Sequence, residues 1–115
     1  NLVFVSKLIS SGVNPSAIRW ALMKHSYADD LMWNSGLIET ATADIDRLQL
    51  NLARMEVAPT DSVIQEILDA LSSNIDTPRA IAALNDWMKE TESGVTGGVA
   101  GELGRALDTL LGITL

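Results

Sequence analysis

The 115-residue sequence contains no cysteine, and this absence excludes several classes of site. Without thiols there is no disulfide, no thiolate-bound zinc and no cysteine nucleophile within these residues. The one histidine, His25, has no second histidine or cysteine with which to share a metal ion. No stretch approaches the roughly 18 consecutive apolar residues that a membrane span needs. We therefore expect a cytoplasmic protein without a membrane segment and with no metal site in this chain.

Basic residues are also scarce, since 8 Lys and Arg stand against 15 Asp and Glu, for a net charge of −7. Proteins hold polyanions mainly by neutralising phosphates with Lys and Arg. The composition therefore disfavours a domain that grips nucleic acid by itself. A content of 47% apolar and 20% charged residues is ordinary for a globular chain, and the length suffices for one hydrophobic core.

Cap and breaker residues predict two helices near the start of the chain. Ser6 and Gly12 bound a short helix, because serine favours the N-cap and glycine the C′ position. Asn14 followed by Pro15 starts a second helix, which is predicted to run to about His25. Its buried side is predicted to contain Ile18, Leu22 and either Trp20 or Met23. His25 is interpreted as a plain helix-end residue, favourable near the C-terminal dipole when it is charged.

The longest predicted helix begins after Asn34 as its cap and covers residues 35–55. Its apolar residues recur at spacings of three and four, which is the pattern of a helix with one buried face. They are Ile38, Ala41, Ile45, Leu48, Leu52 and Met55. The pattern is too short for a sustained coiled coil, so it favours packing in a bundle.

Three further helices are predicted. The first follows the cap Asp61 and runs to about residue 73, the second is opened by Thr77 as cap and by Pro78, and the third covers residues 99–111 after a loop of Gly, Ser and Thr over 91–98. Their predicted inward residues are Val63, Ile64, Ile67, Leu68, Leu71, Ala80, Ile81, Leu84, Trp87, Met88, Val99, Leu103, Ala106, Leu107 and Leu110. No useful length of chain alternates with period two. The predicted fold class is all-α, a helical bundle of about five or six helices.

None of the chemically suggestive groups forms a convincing active site. Asp29 and Asp30 are neighbours in a connector, where adjacent carboxylates usually diverge. A phosphate-binding glycine fingerprint follows a strand, and no strand is predicted before the glycines at 97, 98, 101 and 104. The three tryptophans lack the basic groove of a base-stacking surface, so we expect them to anchor helices: Trp20, Trp33 and Trp87. No catalytic residue is predicted within the chain.

Two segments resemble the cysteinyl-tRNA synthetase superfamily. The opening NLVFVSKLISSGVNPSAIRWALM resembles the stretch after that family's KMSKS loop, with Pro15, Ile18 and Arg19 matching "P-x-x-[IV]-R-x-x-[LM]". SNIDTPRAIAAL resembles the family's "D-D-[LF]-[DN]-T-P-x-A-L" element over residues 73–84. The resemblance implies a fold like the anticodon-binding domain of class Ia synthetases. It also implies that Asn1 is the final residue of the KMSKS-like loop and borders the nucleotide.

Within the superfamily, the chain is most similar to the mycothiol-pathway ligase, which joins cysteine to the amine of glucosaminyl-inositol. The connector SYADDLMW is similar to that branch's "H-Y-R-x-D-x-M-W", although Ser26 and Ala28 replace its His and Arg. A net charge of −7 also suits an aminosugar acceptor better than a polyanion. The alternatives are cysteinyl-tRNA synthetase itself and a non-catalytic helical interaction module.

The resemblance implies that ATP and zinc are bound upstream of residue 1, in an N-terminal catalytic domain that is this chain's partner. Cysteine and the aminosugar would be its substrates, and binding to tRNA is not expected. Residues 1–25 would be linker helices after the KMSKS-like loop, and residues 26–115 the C-terminal helical bundle, in one compact domain overall. The chain is thus predicted to be an inactive fragment of a larger ATP-dependent ligase.

Overall fold

The computed structural model describes residues 6, 7, 9–25 and 35–115. Residues 6, 7, 9 and 10 are helical, five bounded α-helices follow them, and the described part of the chain contains no strand. The five bounded helices are α1 (Pro15–Lys24), α2 (Ser35–Leu52), α3 (Asp61–Ser72), α4 (Thr77–Glu92) and α5 (Ala100–Ala106), the last continuing into a π-helical turn over Leu107–Leu111. The predicted all-α bundle is confirmed. The division into residues 1–25 and 26–115 stays a prediction.

The helix starts follow from local capping chemistry. The side chain of Asn14 accepts a hydrogen bond from the Ser16 amide at 2.9 Å, with Pro15 next in sequence, as predicted. At α4 the cap is Asp76 and not Thr77, because the Asp76 carboxylate accepts from the Arg79 amide at 3.2 Å. That prediction was wrong by one residue. Asn34, the predicted cap of α2, lies outside the described residues.

The core forms where α1, α2 and α4 meet. On α2 the predicted stripe is confirmed at Ile38, Ala41, Ile45 and Leu48, which are all buried, while Leu52 is half-buried. Met55 is fully exposed, contrary to the prediction, because α2 ends at Leu52 and the chain turns away before it. On α4 the inward residues are all as predicted: Ala80, Ile81, Leu84, Trp87 and Met88.

The remaining predicted core positions are correct in part. Val63, Ile67, Leu103 and Leu107 are buried, and the positions that are half-buried are Leu22, Ile64, Leu71, Ala106 and Leu110. Leu68 is 39% exposed, because Ala70 takes the inward position of that turn of α3. Val99 is 54% exposed, because it is the extended N-cap of α5 and precedes the helix. Both were wrongly predicted to be buried.

The segment between α2 and α3 contributes directly to the core. Val57 and Ala58 are 1% and 0% exposed, and the Ala58 amide donates to the Thr91 hydroxyl at 3.0 Å. Thr91 lies within α4, although it was predicted to begin a loop. The loop after α4 packs on the same segment, since the Gly98 amide donates to the Val57 carbonyl at 2.9 Å.

The turn between α3 and α4 has an unusual backbone. Asn74 and Ile75 both have positive φ, at 59° and 52°. Asparagine tolerates this left-handed conformation, whereas a β-branched isoleucine rarely adopts it. The Asp76 amide closes the turn by donating to the Ala70 carbonyl at 2.8 Å. The turn lies in the segment that carries the second family resemblance.

Candidate functional surface

Over residues 6, 7, 9–25 and 35–115 no three His, Cys, Asp or Glu side chains come close enough to hold a metal ion. No helix within those ranges is long and apolar enough to cross a membrane. Asn1, which the resemblance placed beside the nucleotide, lies outside the described residues, and so do Asp29, Asp30 and Trp33. Their roles stay predictions.

His25 ends α1, as predicted for a helix-end residue. It lines a surface cavity of about 310 Å³ between the C-terminal end of α1 and the first turns of α2. Lys24, in the same wall, forms an ion pair with Asp44 at 3.5 Å. Among the described residues that line this cavity there is one imidazole and no acidic group, so they do not by themselves supply the paired groups that acid–base chemistry needs.

The two described tryptophans are core residues, as predicted. Trp20 and Trp87 are 0% and 2% exposed, so neither ring face is available for stacking on a base. Both indole groups have a partner at 3.0 Å: Trp20 donates to the Asp44 carboxylate and Trp87 to the Ala58 carbonyl. Each tryptophan therefore joins its own helix to another segment of the chain.

The glycine run does not form a phosphate cradle. The Gly98 amide is already bonded to Val57, and the next amide, of Val99, donates to the Thr60 hydroxyl at 3.2 Å. A Cβ atom at Gly98 would overlap the Ala58 carbonyl, so glycine is required here for close backbone approach. Gly97 and Gly98 lie in the predicted loop, and Gly101 and Gly104 lie within α5, the helix predicted to follow it.

Charged side chains in the described part of the chain join helices to one another. Arg47 on α2 and Glu92 on α4 form a bidentate pair, at 2.6 and 2.7 Å. The Asn51 amide group adds a third bond to the same carboxylate at 2.9 Å. A second pair joins Arg79 to Glu66 at 2.7 Å. These arginines are committed to carboxylates of their own chain.

Hydrogen bonds from Arg47 and then Asn51 lower the pKa of Glu92 to about 2, from an ordinary value of 4.5. Because the folded pKa lies below the unfolded one, the unfolded chain binds the proton more tightly. The pair therefore stabilises the fold above pH 4.5, and this contribution is lost as the pH falls toward 2. One third of each side chain is exposed, so solvent screening limits the contribution to about 1 kcal/mol.

We expect Glu92→Gln to flatten the decline in stability between pH 5 and pH 2, measured by urea unfolding at a series of pH values. Glu90→Gln serves as the control, because Glu90 is an exposed carboxylate on the same helix. The free energy of unfolding of the wild type and of Glu90→Gln should fall in parallel as the pH is lowered, and that of Glu92→Gln should fall less steeply than either. Identical pH profiles for all three proteins would contradict the assignment.

The surface where the first turns of α1 meet residues 111–114 is the best candidate for a functional role. The Ser16 hydroxyl, in the first turn of α1, donates to the Thr114 carbonyl at 3.0 Å. One turn later, Arg19 Nε donates to the Leu111 carbonyl. These contacts span 98 and 92 residues of sequence. They fix the start of α1 against the end of the chain.

Comparison with known proteins relates the whole chain to one kind of enzyme. No family model matches the sequence. A protein of Streptomyces avermitilis named L-cysteine:1D-myo-inositol 2-amino-2-deoxy-alpha-D-glucopyranoside ligase is 39% identical over 117 residues, which is 100% of this chain and 29% of the relative. Proteins of the same name from Streptomyces coelicolor and Actinosynnema mirum are 38% and 39% identical over 100% of the chain, and the match covers 29% and 28% of their lengths.

The chain thus spans less than one third of the length of these relatives, and the matched part is their C-terminal part. The predicted resemblance to the C-terminal domain of the ligase branch is confirmed. Residues that lie outside this C-terminal part of the relatives are not represented in the 115-residue sequence. The chain belongs to the family of L-cysteine:1D-myo-inositol 2-amino-2-deoxy-alpha-D-glucopyranoside ligases, of which it represents the C-terminal helical part.

Proposed function

We propose that this chain is the helical C-terminal part of an ATP-dependent ligase that joins L-cysteine to the amine of glucosaminyl-inositol. The observation that carries the proposal is the 39% identity, over the whole chain, to a ligase whose name states these two substrates. The protein would act in the cytoplasm. ATP and zinc would be bound by an N-terminal catalytic domain, as the family resemblance implies.

The proposed reaction has two steps. The cysteine carboxylate attacks the α-phosphorus of ATP, which forms cysteinyl-adenylate and releases pyrophosphate. The amine of the aminosugar then attacks the adenylate carbonyl, an amide bond forms, AMP leaves and the amine loses a proton. The described residues contain no group placed for either step, so we assign the chemistry to the catalytic domain.

The role proposed for the bundle is a buttress for that domain. In this proposal residues 1–25 follow the loop that handles ATP, and Asn1 is the last residue of the loop. The structure supports the buttress through α1, whose buried side packs into the core: Ser16, Ala17, Ile18, Trp20, Ala21 and Met23. A helix anchored along its length transmits the position of the bundle to the segment that precedes it.

The charge of the bundle supports an aminosugar acceptor in preference to tRNA. Along the described residues, Arg47 and Arg79 are paired with glutamates, Lys24 is paired with Asp44 and Arg19 bonds to a backbone carbonyl. Four of the 8 basic residues of the chain are thus engaged with their own chain. A phosphate backbone would find few free cations on this surface.

The test is the acceptor specificity of the full-length protein. With ATP, L-cysteine and glucosaminyl-inositol we expect one AMP and one pyrophosphate for each amide formed, measured by mass spectrometry and nucleotide analysis. The same protein with cysteine-accepting tRNA should leave the tRNA uncharged. Charging of tRNA without amide formation would assign the chain to a cysteinyl-tRNA synthetase and overturn the proposal.

A further inference from the structure

Residues 111–114 form a well-anchored segment, which we call the C-terminal seat. Leu111 and Ile113 are each 1% exposed, so the segment is anchored in the core on both sides of Gly112. Gly112 has φ +66°, which reverses the chain after the π-helical turn. The Ile113 amide donates back to the Leu107 carbonyl at 3.2 Å, and the Thr114 hydroxyl donates to the Asp108 carboxylate at 2.9 Å.

The Arg19 side chain packs directly against the C-terminal seat. A Cβ atom at Gly112 would lie 2.8 Å from Arg19 Nε, so a side chain there would displace the guanidinium. The carbonyl that Arg19 reaches belongs to Leu111, the last residue of the helical turn. A cation at that position meets the negative end of a helix dipole as well as a hydrogen-bond acceptor. Ser16 makes a parallel bond to Thr114.

α1 is the first bounded helix of the bundle, and the chain ahead of it leads toward the rest of the polypeptide. In the relatives, more than two thirds of the length lies ahead of the matched part. In this sequence the connection from that part passes through residues 1–14 before it reaches the first turn of α1, where Ser16 and Arg19 contact the segment 111–114.

We propose that Ser16, Arg19 and the segment 111–114 form a C-terminal latch that sets the direction in which α1 leaves the bundle toward the catalytic part. Arg19 is then a positioning residue for adenylate formation, acting through α1 without touching a substrate. This inference rests on the proposed function, in which the chain ahead of α1 is the loop that handles ATP.

The latch predicts a selective kinetic effect in the full-length ligase. Arg19→Met keeps the aliphatic stem but removes the donor to Leu111. We expect the KM for ATP in cysteine-dependent ATP–pyrophosphate exchange to rise about 5- to 10-fold, with the KM for cysteine unchanged. Arg19→Lys, which can still donate to the carbonyl, should restore most of the lost ATP affinity. Gly112→Ala, whose Cβ would displace the Arg19 guanidinium and whose backbone is also strained at φ +66°, should raise the KM for ATP at least as much as Arg19→Met.

Arg47→Met is the matched control, because it removes an arginine whose side-chain hydrogen bonds join α2 to Glu92 on α4 and not to the segment 111–114. Its KM for ATP should equal that of the wild type even where its melting temperature falls. An unchanged KM for ATP in both Arg19→Met and Gly112→Ala would overturn the latch, as would an equal rise in Arg47→Met. Absence of exchange in the wild type would instead overturn the proposed function, and the role of the latch with it.

Discussion

Replacing Gly98 with alanine is expected to lower the free energy of unfolding of the 115-residue chain by about 3 kcal/mol, the upper range for overpacking a filled site. The added Cβ would overlap the Ala58 carbonyl and come within 2.8 Å of its carbon. Relief requires the two backbone segments to separate. That movement would weaken the bond from the Gly98 amide to Val57 and the bond from Trp87 to the Ala58 carbonyl.

Gly104→Ala is the matched control for that substitution. Gly104 lies six residues further along, inside α5, and a Cβ there meets no atom within 4 Å. Because alanine is a better helix former than glycine, this variant should be more stable than the wild type by about 0.5–1 kcal/mol. Urea unfolding of the three proteins measures both changes. Equal stability of the two variants would show that the contact between Gly98 and Ala58 is not close-packed in solution.

The contrast between these two glycines shows why sequence reasoning reached only part of the fold. Both belong to one glycine-rich run, and the pattern gives no sign that one packs on a backbone 40 residues earlier. The spacing of apolar residues and the capping of helices depend only on residues close in sequence, so these signals identified the helices and the buried stripe of α2. They failed at Met55, Leu68 and Val99, where the end of a helix or its rotation in the bundle decides which side chain is buried.

The family of the chain could be predicted from the sequence, but the geometry of the candidate site could not. The elements around Pro15, Arg19 and Thr77 sufficed to indicate the superfamily and the ligase branch. The partners of Arg19 were not predictable, because Leu111 and Gly112 lie more than 90 residues away and have no chemical signature of their own. Ile113 and Thr114, which complete the seat, follow the last predicted helix and gave no signal of burial or bonding.

The most direct test of the buttress is removal of the bundle from the full-length ligase, leaving the chain up to Trp33. We expect cysteine-dependent ATP–pyrophosphate exchange to fall about 100-fold, because misplacing a catalytic segment by about 1 Å costs a factor of this size. The full-length Gly104→Ala variant, which keeps the bundle, should retain the wild-type rate. Binding of cysteine to the shortened enzyme serves to verify that the catalytic part is folded.

This exchange measurement decides whether the helices contribute to chemistry performed elsewhere in the polypeptide. We expect a shortened enzyme that still binds cysteine but forms almost no cysteinyl-adenylate. Exchange at the full-length rate in the shortened enzyme would contradict the buttress role, because the bundle would then have no part in positioning the ATP-handling loop.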